Sequence, residues 1–78
     1  MLIYINKNIH QIKSLFPNLK LNVFGAKSHF ELLNNEKIIL WHDYDDIIYI
    51  PSDGVSFKIN FEKAVYLINK KIKFNNFE

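Results

Sequence analysis

The stretch KIILWHDYDDIIYIPSDGVSFKI, residues 37–59, decides how this chain folds. Its last third sets the parity: Val55, Phe57, Ile59 and Phe61 alternate with Ser56, Lys58 and Asn60, the period-two pattern of a half-buried strand. Val55, Phe57 and Ile59 are therefore expected to face a core. Ahead of them, Pro51-Ser52-Asp53-Gly54 is turn chemistry, because Pro pre-sets φ at the first corner and Gly accepts the positive φ that closes the turn. A four-residue loop there sets Ile50 opposite Val55 and Ile48 opposite Phe57. A tight turn at Asp43-Tyr44-Asp45 sets His42 opposite Asp46, Trp41 opposite Ile47 and Leu40 opposite Ile48. In this register Ile38, Leu40, Ile48, Ile50, Val55, Phe57 and Ile59 share the core face of a three-stranded antiparallel meander. Ile39, Trp41, Ile47 and Tyr49 then make an apolar centre on the opposite face, with Lys37, Ser56 and Lys58 at its edges.

Working outward, residues 28–33 read as a further strand joined to the meander through Asn34-Asn35-Glu36. This sends Phe30 and Leu32 to the core and leaves His29 and Glu31 on the rim beside Trp41 and Ile39. A two-residue Asn34-Asn35 turn would bury Glu31 instead, so the longer loop is preferred. Residues 19–24 alternate as a strand before a turn at Gly25-Ala26-Lys27. Upstream, Asn8 with Gln11 three residues on has the form of a capping box. Ile9, Ile12, Leu15 and Phe16 give the helical stripe that follows, and Pro17 ends it. Residues 1–5 have the β-branched and aromatic content of a strand.

Downstream of the meander, Asn60 caps a helix expected over residues 61–73. Glu62 lies in its first turn and Lys70, Lys71 and Lys73 in its last, which suits the helix dipole. Phe61, Ala64, Val65, Ile68 and Ile72 form its buried stripe, and residues 74–78 are expected to fray. The order β-α-β-β-β-β-β-α predicts a single α+β domain over residues 1–78: an antiparallel sheet of five to six strands with two helices packed on it.

Composition narrows the function classes. The chain has 78 residues, of which 49% are hydrophobic and seven are Phe, enough for a core without covalent staples. A domain of this size buries only about 60% of the surface its unfolded chain exposes. There is no Cys, which removes disulfides and cysteine-rich zinc sites. The apolar start is too short for a signal sequence or a membrane span, and the expectation is a cytoplasmic protein with no membrane partner.

Every strongly basic residue is Lys, with no Arg, which weakens the case for bidentate readout of phosphate or guanine. Residues 1–30 carry +4, residues 31–54 carry −5 and residues 55–78 carry +3, for a net charge of +2. That total is too small to argue for nucleic acid by itself.

Three features invite functional readings. The Ile39, Trp41, Ile47, Tyr49 patch has the aromatic centre and polar rim of a protein interface, or it is a second core layer under one of the helices. The loop Asp43, Tyr44, Asp45, Asp46 reads first as a solvated turn with local backbone bonds, and second as an acidic contact for a basic partner. A small metal-dependent hydrolase at His42, Asp43 and Asp46 ranks third, since such a site needs more converging ligands than the spacing supplies. Lys63, Tyr66, Lys70 and Lys73, with Lys71 nearby, line one side of the last helix. A solvated helix face explains them, and contact with nucleic acid is the alternative. His10 and His29 read as isolated surface or rim residues.

No catalytic, cofactor or metal motif stands out, and no cofactor is expected. The reading is a non-enzymatic protein-binding module that docks on a larger protein or on a second copy of itself. Small size, absence of Cys and an A/T-rich codon bias place it, by analogy alone, among the inhibitor, immunity and antitoxin-type proteins of mobile elements.

Overall fold

The computed structural model describes residues 6–75, with side chains described through Lys71. Helix α1 spans Lys7–Leu15, and strands β1 Leu21–Phe24 and β2 Lys27–Glu31 follow it. After a 3₁₀ turn at Leu33–Asn35 come β3 Lys37–Trp41, β4 Ile47–Ile50, β5 Phe57–Ile59 and helix α2 Phe61–Asn75. Among the described residues the five strands form one antiparallel sheet in chain order, each paired to its sequence neighbours. The protein is an α+β domain, as the element order predicts. The strand expected over residues 1–5, the side chains of Ile72 and Lys73, and residues 76–78 lie outside the description. Helix α2 continues through residues 74 and 75, which were expected to fray; no Gly or Pro stands there to stop it.

Both helices pack on the same face of the sheet. Ile9 and Ile12 of α1 and Ala64 and Ile68 of α2 meet Phe30, Ile38, Leu40, Ile47 and Tyr49 in one cluster, with Leu19 beside them. Each fully buried aliphatic side chain contributes about 1.5–3 kcal/mol. Two apolar stripes on one side of a sheet leave its other side to the solvent or to something else. That asymmetry positions everything discussed below.

The cap of α1 is Asn6, two residues earlier than the expected Asn8. Asn6 has extended backbone angles and its Oδ1 accepts from the Asn8 N–H at 2.7 Å. Both residues have the right side chain for a cap, and tertiary partners decide between them. The Asn6 Nδ2 donates to the Trp41 carbonyl at 2.7 Å and to the Tyr44 carbonyl, while the Asn8 Nδ2 reaches the Asp45 carbonyl at 3.5 Å. Asn6 is thus a cap and a clamp on the β3–β4 loop. Asn6→Ala is expected to cost about 2 kcal/mol, combining the lost cap with the loss of the side-chain donor to the Trp41 and Tyr44 carbonyls, of which Trp41 keeps the Tyr44 N–H. A chemical denaturation curve measures it, and a change within error of zero would refute the clamp.

At the other end of α1, the Phe16 N–H donates to the Ile12 carbonyl and the Lys13 ammonium donates to the carbonyls of Pro17 and Leu19 at 2.8 Å. The first satisfies a carbonyl of the helix terminus, and the Lys13 bonds tie the segment after the helix back onto it. The β1–β2 turn is two residues long, not three, since Phe24 pairs with Lys27 and Gly25 takes φ +57° at its first corner. In the β2–β3 connection Asn34 and Asn35 both adopt positive φ, a conformation Asn tolerates better than most residues. Glu31 consequently pairs with Lys37, His29 with Ile39 and Lys27 with Trp41. This is a two-residue slip from the expected register, so parity survives: Phe30 is fully buried and His29 and Glu31 stay on the outer side.

The meander itself differs by one residue at both of its turns. Leu40 pairs with Ile47, not Ile48, and Tyr49 pairs with both Ile38 and Phe57. The core face therefore holds Ile38, Leu40, Ile47, Tyr49, Phe57 and Ile59, and the outer face holds Ile39, Trp41, Ile48 and Ile50. Strand β4 is inverted relative to the expectation: Ile47 and Tyr49 are buried, while Ile48 and Ile50 are outside.

The first shift arises because His42 turns inward and the Asn6 clamp holds a loop wider than a tight Asp-Tyr-Asp turn. The second arises because Val55 joins the loop, its N–H bonded to Asp53 Oδ1 at 3.1 Å with Gly54 at φ +88°. Val55, expected in the core, is 67% exposed. Two one-residue shifts cancel, so Phe57 and Ile59 keep the side that was expected of them. Phe57, on the edge strand, meets Tyr49 edge-on at 5.4 Å between centroids and remains half exposed.

Candidate functional site

Pairing aligns the outer face in rows across the sheet. One row runs Asn22, His29, Ile39, Ile48, Lys58; toward the β3–β4 loop lie Phe24, Lys27 and Trp41; at the opposite end lie Glu31, Lys37 and Ile50. Ile39, Trp41, Ile48 and Ile50 are each half-buried by their neighbours on the sheet, and among the described residues both helices lie on the far side. The result is an apolar strip with a mostly basic rim. The expected patch therefore keeps Ile39 and Trp41 but exchanges Ile47 and Tyr49 for Ile48 and Ile50.

Local contacts hold this face in shape. The Lys27 ammonium sits 4.6 Å from the Trp41 ring centroid, a cation–π contact across the β2–β3 ladder. His29 stacks on Phe24 at 5.1 Å and its Nε2 lies 3.3 Å from Asn22 Nδ2. Desolvation, then the charge of Lys37, lowers the His29 pKa below 6.5, with Glu31 opposing. A neutral imidazole at pH 7 follows. Lys20 pairs with Glu31 at 3.8 Å and Lys58 with Asp46 at 3.5 Å, both largely exposed and worth little as isolated pairs.

The acidic loop is anchored at its backbone and open at its side chains. Asp43, Tyr44 and Asp45 are exposed, Tyr44 by 65%, and Asp46 leans toward Lys58. The expected opposition of His42 and Asp46 is not formed. His42 is 7% exposed, its Nε2 is 2.7 Å from Ser28 Oγ, and its N–H donates to the Ala26 carbonyl. This withdraws the imidazole from any metal site with Asp43 and Asp46, and among the described residues no three such side chains converge.

A serine oxygen beside an imidazole has the form of an activated nucleophile, yet Ser28 is fully buried, with no surface from which a substrate could reach it. The pair satisfies two polar groups inside the fold. Ser28→Ala is expected to cost about 1–2 kcal/mol through the lost hydrogen bond, read as a lower melting temperature; an unchanged value would show that the bond contributes nothing.

A second buried polar group was not legible in the sequence. Glu36, at the entry to β3, is 6% exposed; its Oε1 accepts from the Tyr49 hydroxyl at 3.0 Å and lies 3.1 Å from the Lys71 ammonium. Burial, followed by the hydrogen bond and charge of Glu36, pushes the Tyr49 pKa up to about 12. Lys71 therefore ties α2 to the sheet and does not belong to the outer lysine face where it was expected.

On that face Lys63 and Lys70 place their ammoniums 5.4 and 5.9 Å from the Tyr66 centroid, and Tyr66 is 56% exposed. Lys73 lies beyond the described side chains. An open concavity of about 190 Å³ is lined by Leu15, Phe16, Pro17, Asn18 and Leu19, none of which carries an acid or base. No helix among the described residues is long and apolar enough to cross a membrane. Comparison with known proteins returned no family model, no curated relative and no solved structure that matches this chain.

Proposed function

We propose that this chain is a non-enzymatic protein-binding module whose outer sheet face, centred on Ile39, Trp41, Ile48 and Ile50, docks on another protein surface. One observation carries this reading: both helices share one side of the sheet, which leaves an aliphatic strip and a Trp on the other. Trp and apolar centres with polar rims are where interfaces concentrate binding energy. The anchored loop of Asp43, Tyr44 and Asp45 stands at one end of the strip, placed to contact the same partner. Blocking a larger protein, as an inhibitor, immunity protein or antitoxin does, suits a small rigid surface of this kind. A cysteine-free chain also suits the reducing cytoplasm.

The test is affinity capture from the source cells with native protein and with Trp41→Ala/Ile48→Ala, followed by calorimetry on the captured partner. Loss of at least 100-fold in affinity with an unchanged circular dichroism spectrum is expected. Equal affinity would refute this face. The lysine face of α2 offers a second reading, favoured by Tyr66 standing exposed between two ammoniums. A nucleic-acid contact there predicts binding of single-stranded oligonucleotides that weakens steeply with salt and with Lys63→Gln/Lys70→Gln. No binding at low salt would dismiss it.

A further inference from the structure

We propose that Asp53 is a self-modification site, at which the chain converts aspartate to isoaspartate through a succinimide closed with the Gly54 nitrogen. This stands apart from the docking reading and needs no partner.

Ring closure needs a carboxyl folded forward onto the next residue's main-chain nitrogen, and no side chain on that residue to crowd it. The chain has two glycines, and only Gly54 follows an Asp or Asn. Asp43, Asp45 and Asp46 precede Tyr44, Asp46 and Ile47, each of which carries a Cβ. The β4–β5 connection supplies the geometry at residue 53. Asp53 Oδ1 accepts the Val55 N–H at 3.1 Å, so the carboxyl is folded forward past the Gly54 nitrogen that lies between them. Gly54 takes φ +88°, and apart from its chain neighbours no heavy atom lies within 4 Å of the place a Cβ would occupy. The positive φ favours glycine there, and glycine in turn leaves its nitrogen open to attack. Residues 52–56 are exposed and lie outside the core, so water reaches the ring.

The reaction needs no co-reactant but water. The Gly54 nitrogen bonds to Asp53 Cγ, and the carboxyl OH leaves with the amide proton as water. Water then adds to one of the two ring carbonyls. Addition at the former side-chain carbonyl restores aspartate. Addition at the main-chain carbonyl breaks the original Asp53–Gly54 peptide bond and leaves the chain running through Cβ and Cγ. One contact resists: the Gly54 N–H donates to the Pro51 carbonyl at 2.9 Å and must first be released. Hydrogen bonds in an exposed loop open at little cost, and holding the reacting atoms together offsets that cost. The product lengthens the β4–β5 connection by one main-chain carbon and moves the free carboxylate onto Cα, which takes away the acceptor of the Val55 N–H. No core residue lies in the loop, so the modified protein stays folded.

The test is incubation of the native protein in heavy-oxygen water at neutral pH, beside a peptide of residues 50–56. Peptide mapping by mass spectrometry locates the heavy oxygen, and methylation by an isoaspartyl carboxyl methyltransferase with S-adenosylmethionine counts the isoaspartate. The folded protein is expected to take up heavy oxygen and form isoaspartate at residue 53 alone, at a rate no more than tenfold below the peptide's. An unfolded fraction of about 10⁻³ or less could not sustain that rate, so it reports on the native loop. Asp53→Glu, whose ring would have six members, is expected to lose the signal altogether. A rate more than tenfold below the peptide's overturns the site, because the turn then protects Asp53. Isoaspartate that forms first at another Asp, or a signal that persists in Asp53→Glu, overturns it as well.

Discussion

Ile47→Asp is expected to unfold this protein, whereas Ile48→Asp, one residue along the same strand, leaves it folded and unable to dock. The two side chains are identical and adjacent, and only the pleat separates them. Ile47 is 1% exposed in the cluster between the sheet and the helices. An aspartate there forfeits about 1.5–3 kcal/mol of burial and adds several more for an unpaired carboxylate. A domain of this length has roughly 4–12 kcal/mol of total stability, so the loss approaches the whole. Ile48 lies on the outer face opposite Lys58, where an aspartate is hydrated and has a cation beside it. A cost of about 1 kcal/mol is expected there. Circular dichroism and amide dispersion in NMR spectra distinguish the outcomes: collapse for the first variant, a native spectrum for the second. The reverse pattern would restore the tight-turn register and place Ile47 and Tyr49 on the outer face.

Glu36→Ala is expected to be the most destabilising polar substitution in the described chain, by about 2–4 kcal/mol. It removes the acceptor of the Tyr49 hydroxyl and the counter-ion of Lys71 in one step, and a buried pair broken from one side leaves its partner's desolvation uncompensated. Lys71 is partly exposed, with 26% of its side chain accessible, which keeps the figure below that of a fully buried pair. Glu36→Leu/Lys71→Met is expected to recover the share due to the uncompensated Lys71 charge, while the Tyr49 hydroxyl stays without its acceptor. A double variant no more stable than Glu36→Ala would show that the Lys71 ion pair contributes nothing.

The same network sets a pH window. Tyr49 holds its proton to about pH 12 when folded, against about 10 when unfolded. Between those values the unfolded chain binds fewer protons than the folded one, so stability falls as pH rises. It is complete below pH 10 and declines by about 2–3 kcal/mol on passing through 12. Tyrosinate absorbance should show one late-titrating phenol, and Glu36→Ala should bring it earlier. A titration in which every Tyr ionises near 10 would contradict the buried contact. His29 has the opposite sign: its pKa is lowered below 6.5, so stability is lost as pH falls from 6.5 through that lower folded value.

Where a segment mixes apolar and polar residues, its local pattern was enough to assign its face. Lys-Ser-His-Phe-Glu in β2, Phe-Lys-Ile in β5 and most of each helix stripe have a polar alternative to every apolar position, so their inward sides follow from periodicity; Leu15, expected on the buried stripe of α1, is instead exposed at its C-terminal end. The order of elements and the α+β class follow in turn. Strand β4 is Ile-Ile-Tyr-Ile, apolar at every position. Nothing within it distinguishes one side from the other.

Its parity was decided by contacts distant in the chain: Asn6 gripping the Trp41 and Tyr44 carbonyls, and His42 turning in to Ser28. With them Leu40 pairs with Ile47 instead of Ile48, the one-residue shift that turns Tyr49 inward to Glu36 and Ile48 to the outer face. A period-two strand tolerates no fractional error, since a one-residue shift exchanges its faces completely. Composition and alternation therefore determined that this protein has an aromatic sheet face beside an acidic loop. Only long-range hydrogen bonds determined which isoleucines lie on it.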